Sequence, residues 1–430
     1  MQLSTLKEVI AGNRQFILNQ APTIIPRSGI EIPPGVNKVA VLYGVRRSGK
    51  TFILFDQYIR HSEAALYLDF EDDRMLGFTL SDFDLLKSAF LELYPNLIGT
   101  PLTLFLDEVQ NVEGWERFCR RAVEREGIEV FVSGSSSRMM PAEIHTELRG
   151  RAWSLEVMPY SFAEYVSSRG LNPADPALAF GADRDRLKQL FGQYLRRGGY
   201  PEVCALETDF DRLKLLKDYY GALYFRDLVE RYQITNIPLL DALSDRLFSS
   251  FATRFTLSAF YKQYNGRIPL SKDLLFRYYR HFLDSMLLYE VRLFAESSYA
   301  RMRNPAKLYP VDTGLCRRVT SADDGRLLET VAFLKLKRRG LELFYFHDKR
   351  ECDFITRDAA GALQAIQVCY ELTEENRERE VGGLLDACMR IGADIGLILT
   401  WGEERVLEEA GVTILCRPVW KWCLESTSDI

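Results

Sequence analysis

The sequence predicts an α/β protein, and three observations carry that prediction. Residues 39–59, "VAVLYGVRRSGKTFILFDQYI", run from a buried-strand pattern through a glycine-bounded basic loop into a helical pattern. Residues 102–110, "LTLFLDEVQ", form a second apolar run, ending in two acids. The final part of the chain, 318–430, again alternates helical and strand patterns. Short, continuous apolar runs bounded by turns and separated by helical periodicity read as buried strands joined by helical crossovers.

The chain has 430 residues, room for two to four domains. It is 47% hydrophobic and 27% charged, an ordinary globular balance. A net charge of −5 does not by itself predict a nucleic-acid partner. The absence of a long apolar run argues against a membrane span, and the N-terminus lacks the apolar core of a secretory signal. Eight cysteines stand singly without a CxxC pair, and four histidines are scattered. A reduced, cytoplasmic protein without a structural zinc is expected.

Gly44, Gly49, Lys50 and Thr51 match the phosphate-loop pattern G-x-x-x-x-G-K-[ST], in the strand–loop–helix context that the pattern needs. Glycines let backbone N–H groups face phosphate oxygens, and the following helix points its positive end at the same anion. The expected nucleotide-binding residues are Gly44, Arg47, Ser48, Gly49, Lys50, Thr51 and Phe52. Lys50 would reach the outer phosphates, and the Thr51 hydroxyl would ligate magnesium. Asp107, at the end of its strand, would complete the magnesium shell, and Glu108 would act as general base. "IEVFVSGSSSRMM" is a third strand, ending in serines; Ser135 or Ser136 is a candidate γ-phosphate sensor, and a plain serine-rich turn fits the pattern equally. Arg149 and Arg151, in "ELRGRAW", are candidate arginine fingers, for their own site or a neighbour's, with surface salt-bridging an equal alternative. "ALYLDFEDDRM" reads as an adjacent strand, with Asp69, Glu71, Asp72 and Asp73 on the same rim or in a solvated loop. Arg46 and Arg47 could brace the loop, touch phosphate or face another subunit.

The order of "GVRRSGKT", "LYLDFED", "FLDEVQNVEGWE", "FVSGSSS" and "LRGRAWSLEVMPYSFAEY" resembles the AAA-type ATPases of the bacterial and archaeal group described as archaeal-type ATPases. "YLRRGGYPEV", "LKDYYGALYFRDLVERY", "KLYPVDTGL" and "LLETVAFLKLKRRG" resemble the uncharacterised C-terminal region that accompanies this ATPase, so the likeness covers nearly the whole chain. The fold implied is a P-loop NTPase parallel sheet, then a helical and winged-helix region, then a C-terminal restriction-endonuclease-like α/β domain. The expected parts are an N-terminal helical segment (1–35), the AAA-type ATPase domain (36–165), a helical lid or linker (166–239), a winged-helix-like domain (240–317) and a degenerate endonuclease-like domain (318–430).

In the winged-helix-like part, Thr256 and Ser271 are the expected helix caps. Residues 241–310 hold eleven Lys/Arg against six Asp/Glu, and Arg277, Tyr278, Tyr279 and Arg280 cluster in the would-be recognition helix. DNA contact and protein contact both stay open. In the last part, an endonuclease-like core maps its acids to Glu329 and Asp353 and its E-x-K to Gln367 and Cys369. Cysteine cannot replace a lysine's charge, so a remnant site is expected, with Lys335 and Lys349 the nearest lysines in sequence. The functional expectation is a protein that binds ATP and Mg2+ and hydrolyses ATP as a switch for its C-terminal DNA- or protein-binding domains. The alternatives are an ATP-regulated nuclease and a non-enzymatic ATP-liganded binding module. A homo-oligomer is compatible with either.

Overall fold

The computed structural model describes residues 1–430 except 28, 31–35, 62–63, 135–138, 140, 319–322 and 426–430. The chain forms two compact units, 1–158 and 159–430. Among the described residues no helix is long and apolar enough to cross a membrane. All eight cysteines are free and buried.

The first unit runs α1 (Leu3–Gln20), β1 (Val39–Tyr43), α2 (Lys50–Arg60), β2 (Ala65–Asp69), α3 (Asp82–Leu93), β3 (Thr103–Asp107), α4 (Trp115–Glu126), β4 (Glu129–Gly134), α5 (Pro141–Glu147) and β5 (Ala152–Glu156). Its five strands are all parallel, in the order β2-β3-β4-β1-β5. Strands buried on both faces explain the uninterrupted apolar runs. One face packs Leu6, Val9 and Ile10 of α1 with Leu66, Leu104, Phe83 and Phe118. Phe83 stacks on Phe118 with ring centroids 3.8 Å apart, a pairing that adds about 0.5–1.5 kcal/mol to area burial. The other face packs α2 through Ile53, Leu54 and Phe55 against Leu42, Tyr67 and Phe105. The segment expected as a separate N-terminal part is therefore a layer of this unit: the Met1 ammonium also pairs with Asp82 at 3.0 Å.

The second unit continues with α6 (Phe162–Ser167), α7 (Gly181–Arg197), α8 (Pro201–Ala205), α9 (Asp209–Ala222), α10 (Ile237–Ser249), β6 (Arg254–Phe255), α11 (Leu257–Tyr264), α12 (Lys272–Asp284), β7 (Leu288–Leu293), α13 (Ser298–Arg303) and β8 (Ala306–Pro310). It ends with α14 (Asp324–Arg338), β9 (Glu342–His347), β10 (Glu351–Arg357), β11 (Leu363–Val368), α15 (Glu374–Ile391), β12 (Ile395–Thr400), β13 (Arg405–Glu409), β14 (Val412–Pro418) and α16 (Val419–Leu424). A π-helical turn, Leu223–Glu230, extends α9. Thr256 and Ser271 cap α11 and α12 as expected, each accepting a backbone N–H at 3.1 Å.

All nine strands form one mixed sheet, β13-β14-β12-β11-β10-β9-β7-β8-β6. The link is a parallel pairing of β7 with β9, Arg292 opposite Phe344. This corrects the boundary expected at residue 317: the sheet's hydrogen bonds run straight across it. Helix α15 covers one face, packing Leu384 and Ala387 on Ile355, Ile398 and Ile414. Helix α14 lies against the other, where Phe333 stacks on Tyr309 at 4.3 Å beside Phe354.

Candidate functional site

The loop after β1 adopts the backbone that its glycines permit. Gly44 has φ +148, and a side-chain carbon there would collide with the Val157 carbonyl oxygen. Gly49 (φ +99) is the N-cap of α2. Arg47 is in the left-handed region at φ 65 and is exposed. The buried Lys50 Nζ donates to the Gly44 and Val45 carbonyls, both at 3.0 Å. The buried Ser48 hydroxyl has no hydrogen-bond partner among the described residues. Phe52 lies exposed on the first turn of α2, its ring 5.6 Å from that of Phe55.

Beside the loop, Asp107 and Asp69 end adjacent strands in register. Asp107 accepts from the Tyr67 hydroxyl at 2.9 Å and from the Ser133 hydroxyl, and the Thr51 hydroxyl also bonds it. Burial raises its pKa, against those three hydrogen bonds. Burial first, then Asp107, Glu71 and Glu108, lift Asp69 to about 6, although the Glu71 N–H opposes the shift. Glu108 sits at φ 49, its carboxylate accepting from Gln110 Nε2 at 2.5 Å. Among the described residues no three His, Cys, Asp or Glu side chains gather to hold a metal alone. A cation at Thr51 and Asp107 would therefore take further oxygens from a phosphate. The orphaned Ser48 hydroxyl, the glycine-lined loop and a carboxylate held against Thr51 all fit a nucleotide with its Mg2+.

The structure differs from the sequence reading at several positions. Ser135 and Ser136 lie outside the described residues; the strand hydroxyl that meets the acidic pair is Ser133. Arg151 lies at the opposite end of the sheet from the loop. Its carbonyl accepts from Val39, at the start of β1, whereas the loop follows Tyr43, roughly 13 Å further along the strand. Arg151 instead pairs with Glu124 at 2.7 Å on the surface, and Arg149, at the same end, turns the chain at φ 48. Arg151 is thus engaged on the surface away from its own chain's loop. Arg27 had no signal in the sequence, yet its guanidinium donates to the Ser48 carbonyl at 3.0 Å.

In the second unit, Glu329 of α14 and Asp353 of β10 do converge, but on a lysine from an unexpected strand. Lys307 of β8 is 1% exposed; its Nζ lies 3.1 Å from Glu329, 2.8 Å from Asp353 and 2.7 Å from Glu351. The Tyr309 hydroxyl donates to Glu329 at 2.6 Å. Burial opposes the Lys307 charge, but Asp353, Glu329 and Glu351 hold its pKa well above an ordinary lysine's. Burial and Asp353 push Glu329 up to about 8, against Lys307 and Tyr309. Gln367 is turned away from a metal-ligand role: its oxygen accepts the Asp353 N–H at 3.1 Å and its amide donates to Glu380 at 2.6 Å. Lys335 binds the Cys423 and Glu425 carbonyls, Lys349 is exposed, and Cys369 is buried. On α12, Tyr278 and Tyr279 are buried, leaving Arg277, Arg280 and Phe276 exposed.

The AAA domain family matches residues 36–166, spanning the loop and all five strands of the first sheet. A domain-of-unknown-function family, DUF8612, matches residues 188–326. The chain is 32% identical over 435 residues to the uncharacterized protein MJ1544 of Methanocaldococcus jannaschii, covering 97% of this chain and 95% of that one. It is 24% identical over 354 residues to an uncharacterized protein of Haemophilus influenzae, covering 80% and 85% of the two chains. Among solved structures, the Walker-type ATPase PABY2304 of Pyrococcus abyssi aligns over 72% of this chain and 95% of its own, at 12% identity and a TM-score of 0.42.

Proposed function

We propose, for a chain that belongs to the same family as MJ1544 and carries an AAA domain, that the first unit binds ATP with Mg2+ and hydrolyses it, and that nucleotide state switches the second unit. The observation that carries this reading is the meeting of Lys50, Ser48 and Thr51 with Asp107 and Glu108 at the carboxyl ends of β1 and β3, where open α/β sheets bind ligands. Bound MgATP would supply the phosphoryl group and the metal charge. Lys50 would exchange its two loop carbonyls for phosphate oxygens. Thr51 and Asp107 would hold the metal, with Ser133 and Tyr67 keeping the Asp107 carboxylate in place. Glu108 would orient the attacking water and accept its proton. Arg149 and Arg151 would serve only a neighbouring subunit's site.

Isothermal titration with MgATP and a phosphate-release assay test this. Lys50→Ala should abolish binding. Glu108→Gln should bind normally and lose about 10²–10⁴ in turnover. Wild-type protein that fails to bind ATP at millimolar magnesium would end the reading.

For the second unit we propose a helical lid (166–239), then a winged-helix-like contact module and an endonuclease-like core that share one sheet across residue 317, the core not cleaving. The Lys307 ammonium supports the last point, since it already neutralises the acids that would otherwise ligate a divalent cation. Cleavage is the second reading, and plasmid nicking with Mn2+ and ATP that disappears in Asp353→Ala would restore it. Exposed Arg277 and Arg280 favour an anionic partner surface on α12, DNA included.

A further inference from the structure

Arg27 bridges two carbonyls that belong to different stretches of chain. Nη1 donates to Ser48 at 3.0 Å and Nη2 to Met158 at 2.6 Å. Ser48 lies inside the phosphate loop, and Met158 is the last residue of the first unit. Two further contacts tie the same pieces together. The Val157 N–H donates to the Tyr43 carbonyl at 2.7 Å, and Gly44 packs flat against the Val157 carbonyl. The loop's beginning, its end and the exit chain are thus one bonded assembly.

A trans peptide points its C=O and the following N–H in opposite directions. Fixing the Ser48 carbonyl toward Arg27 therefore aims the Gly49 N–H away from Arg27. The chain beyond Met158 is held just as firmly. Within the second unit, Pro159 accepts from Arg338 of α14 at 2.8 Å. The Tyr160 N–H donates to Gly199 at 2.7 Å, and the Tyr160 carbonyl accepts from the Tyr194 hydroxyl at 2.8 Å. Residues 157 and 158 are thus bonded within the first unit, and residues 159 and 160 within the second.

We propose that Arg27 is the positioning residue that locks the phosphate loop to the exit chain, so that nucleotide occupancy is transmitted along residues 157–160 into the second unit. This rests on the ATP reading above. A guanidinium is suited to the task because its fixed fork serves two acceptors at once, which an ammonium on a flexible stem does less well.

The test is MgATP titration and steady-state kinetics, with amide hydrogen exchange of Val157, Met158, Tyr160, Gly198 and Gly199, on wild type, Arg27→Ala and Arg27→Lys. In wild type, MgATP should slow exchange at these amides. Arg27→Ala should raise the ATP KM about tenfold, the loss expected for a charge-assisted hydrogen bond, with a smaller change in kcat. It should also abolish the ATP-dependent protection, with Arg27→Lys intermediate. If Arg27→Ala binds ATP within twofold of wild type and retains the protection, the proposal is overturned. It is equally overturned if KM rises while protection stays. Should the alanine variant not fold, the lysine variant decides by the same two readouts. A wild type that binds no ATP removes the ATP reading itself, and the first titration separates that failure from the others.

Discussion

Asp69 and Asp107 end neighbouring strands, and each is raised by burial before any charge is counted. Asp69 at about 6 lies above its ordinary value. In the folded protein it therefore favours the protonated form, and its ionisation weighs against the folded state as pH rises through that value. A divalent cation held by the ionised pair, as proposed above, would reverse the preference. Magnesium-dependent ATP binding should accordingly weaken as pH falls through about 6, with protons released on binding near that pH. Titrations in buffers of different ionisation enthalpy would measure the release, and Asp69→Asn should remove most of it; an unchanged pH profile in that variant would remove Asp69 from the site. At this scale the sequence was legible wherever spacing along one segment is enough. Lys50, Thr51, Asp107 and Glu108 could be named from their motifs. Ser133 and Tyr67 could not, because a hydroxyl's role depends on which strand lies beside it. Arg27 was invisible, since nothing local distinguishes an arginine that clamps a loop from one in solvent.

Lys307 shows the same limit for whole elements. Strand β10 and helix α14 were readable by period, with Glu329 and Asp353 on the elements expected of them, whereas β8 was not read as a strand. That β8 inserts a lysine between them follows from sheet order, with β8 two strands from β9 through β7. Removing one partner of a buried ion cluster leaves its charges uncompensated, at a cost of about 3–5 kcal/mol. Lys307→Met should destabilise the protein by that order in denaturant unfolding, and adding Glu329→Gln and Asp353→Asn should recover part of the loss. A loss below about 1 kcal/mol would mean that the cluster is not held by its lysine. On α12, by contrast, helical spacing is enough. Its aromatic-basic cluster divides by helical period: Tyr279 turns inward to Glu290 at 2.5 Å, and only the arginines stay outside.

At the scale of the molecule, two units with separate cores should unfold in separable steps. Calorimetry should show two transitions, with MgATP raising the one that belongs to the first unit by about 2.7 kcal/mol at a hundredfold excess over Kd. The shift should vanish in Lys50→Ala; a single transition insensitive to nucleotide would contradict the division. The chain's own order determined the α/β class, the phosphate loop, the acidic strand end and the helix caps. Each is a short-range pattern, set by residues a few positions apart through strand and helix periods and backbone conformation. Tertiary structure alone decided that one nine-stranded sheet crosses residue 317, that Arg151 lies at the far end of its strand from the loop, that Arg27 holds that loop, and that Lys307 sits between Glu329 and Asp353. Those outcomes depend on strand order and on contacts between residues tens to hundreds of positions apart, where the sequence carries no local spacing to read.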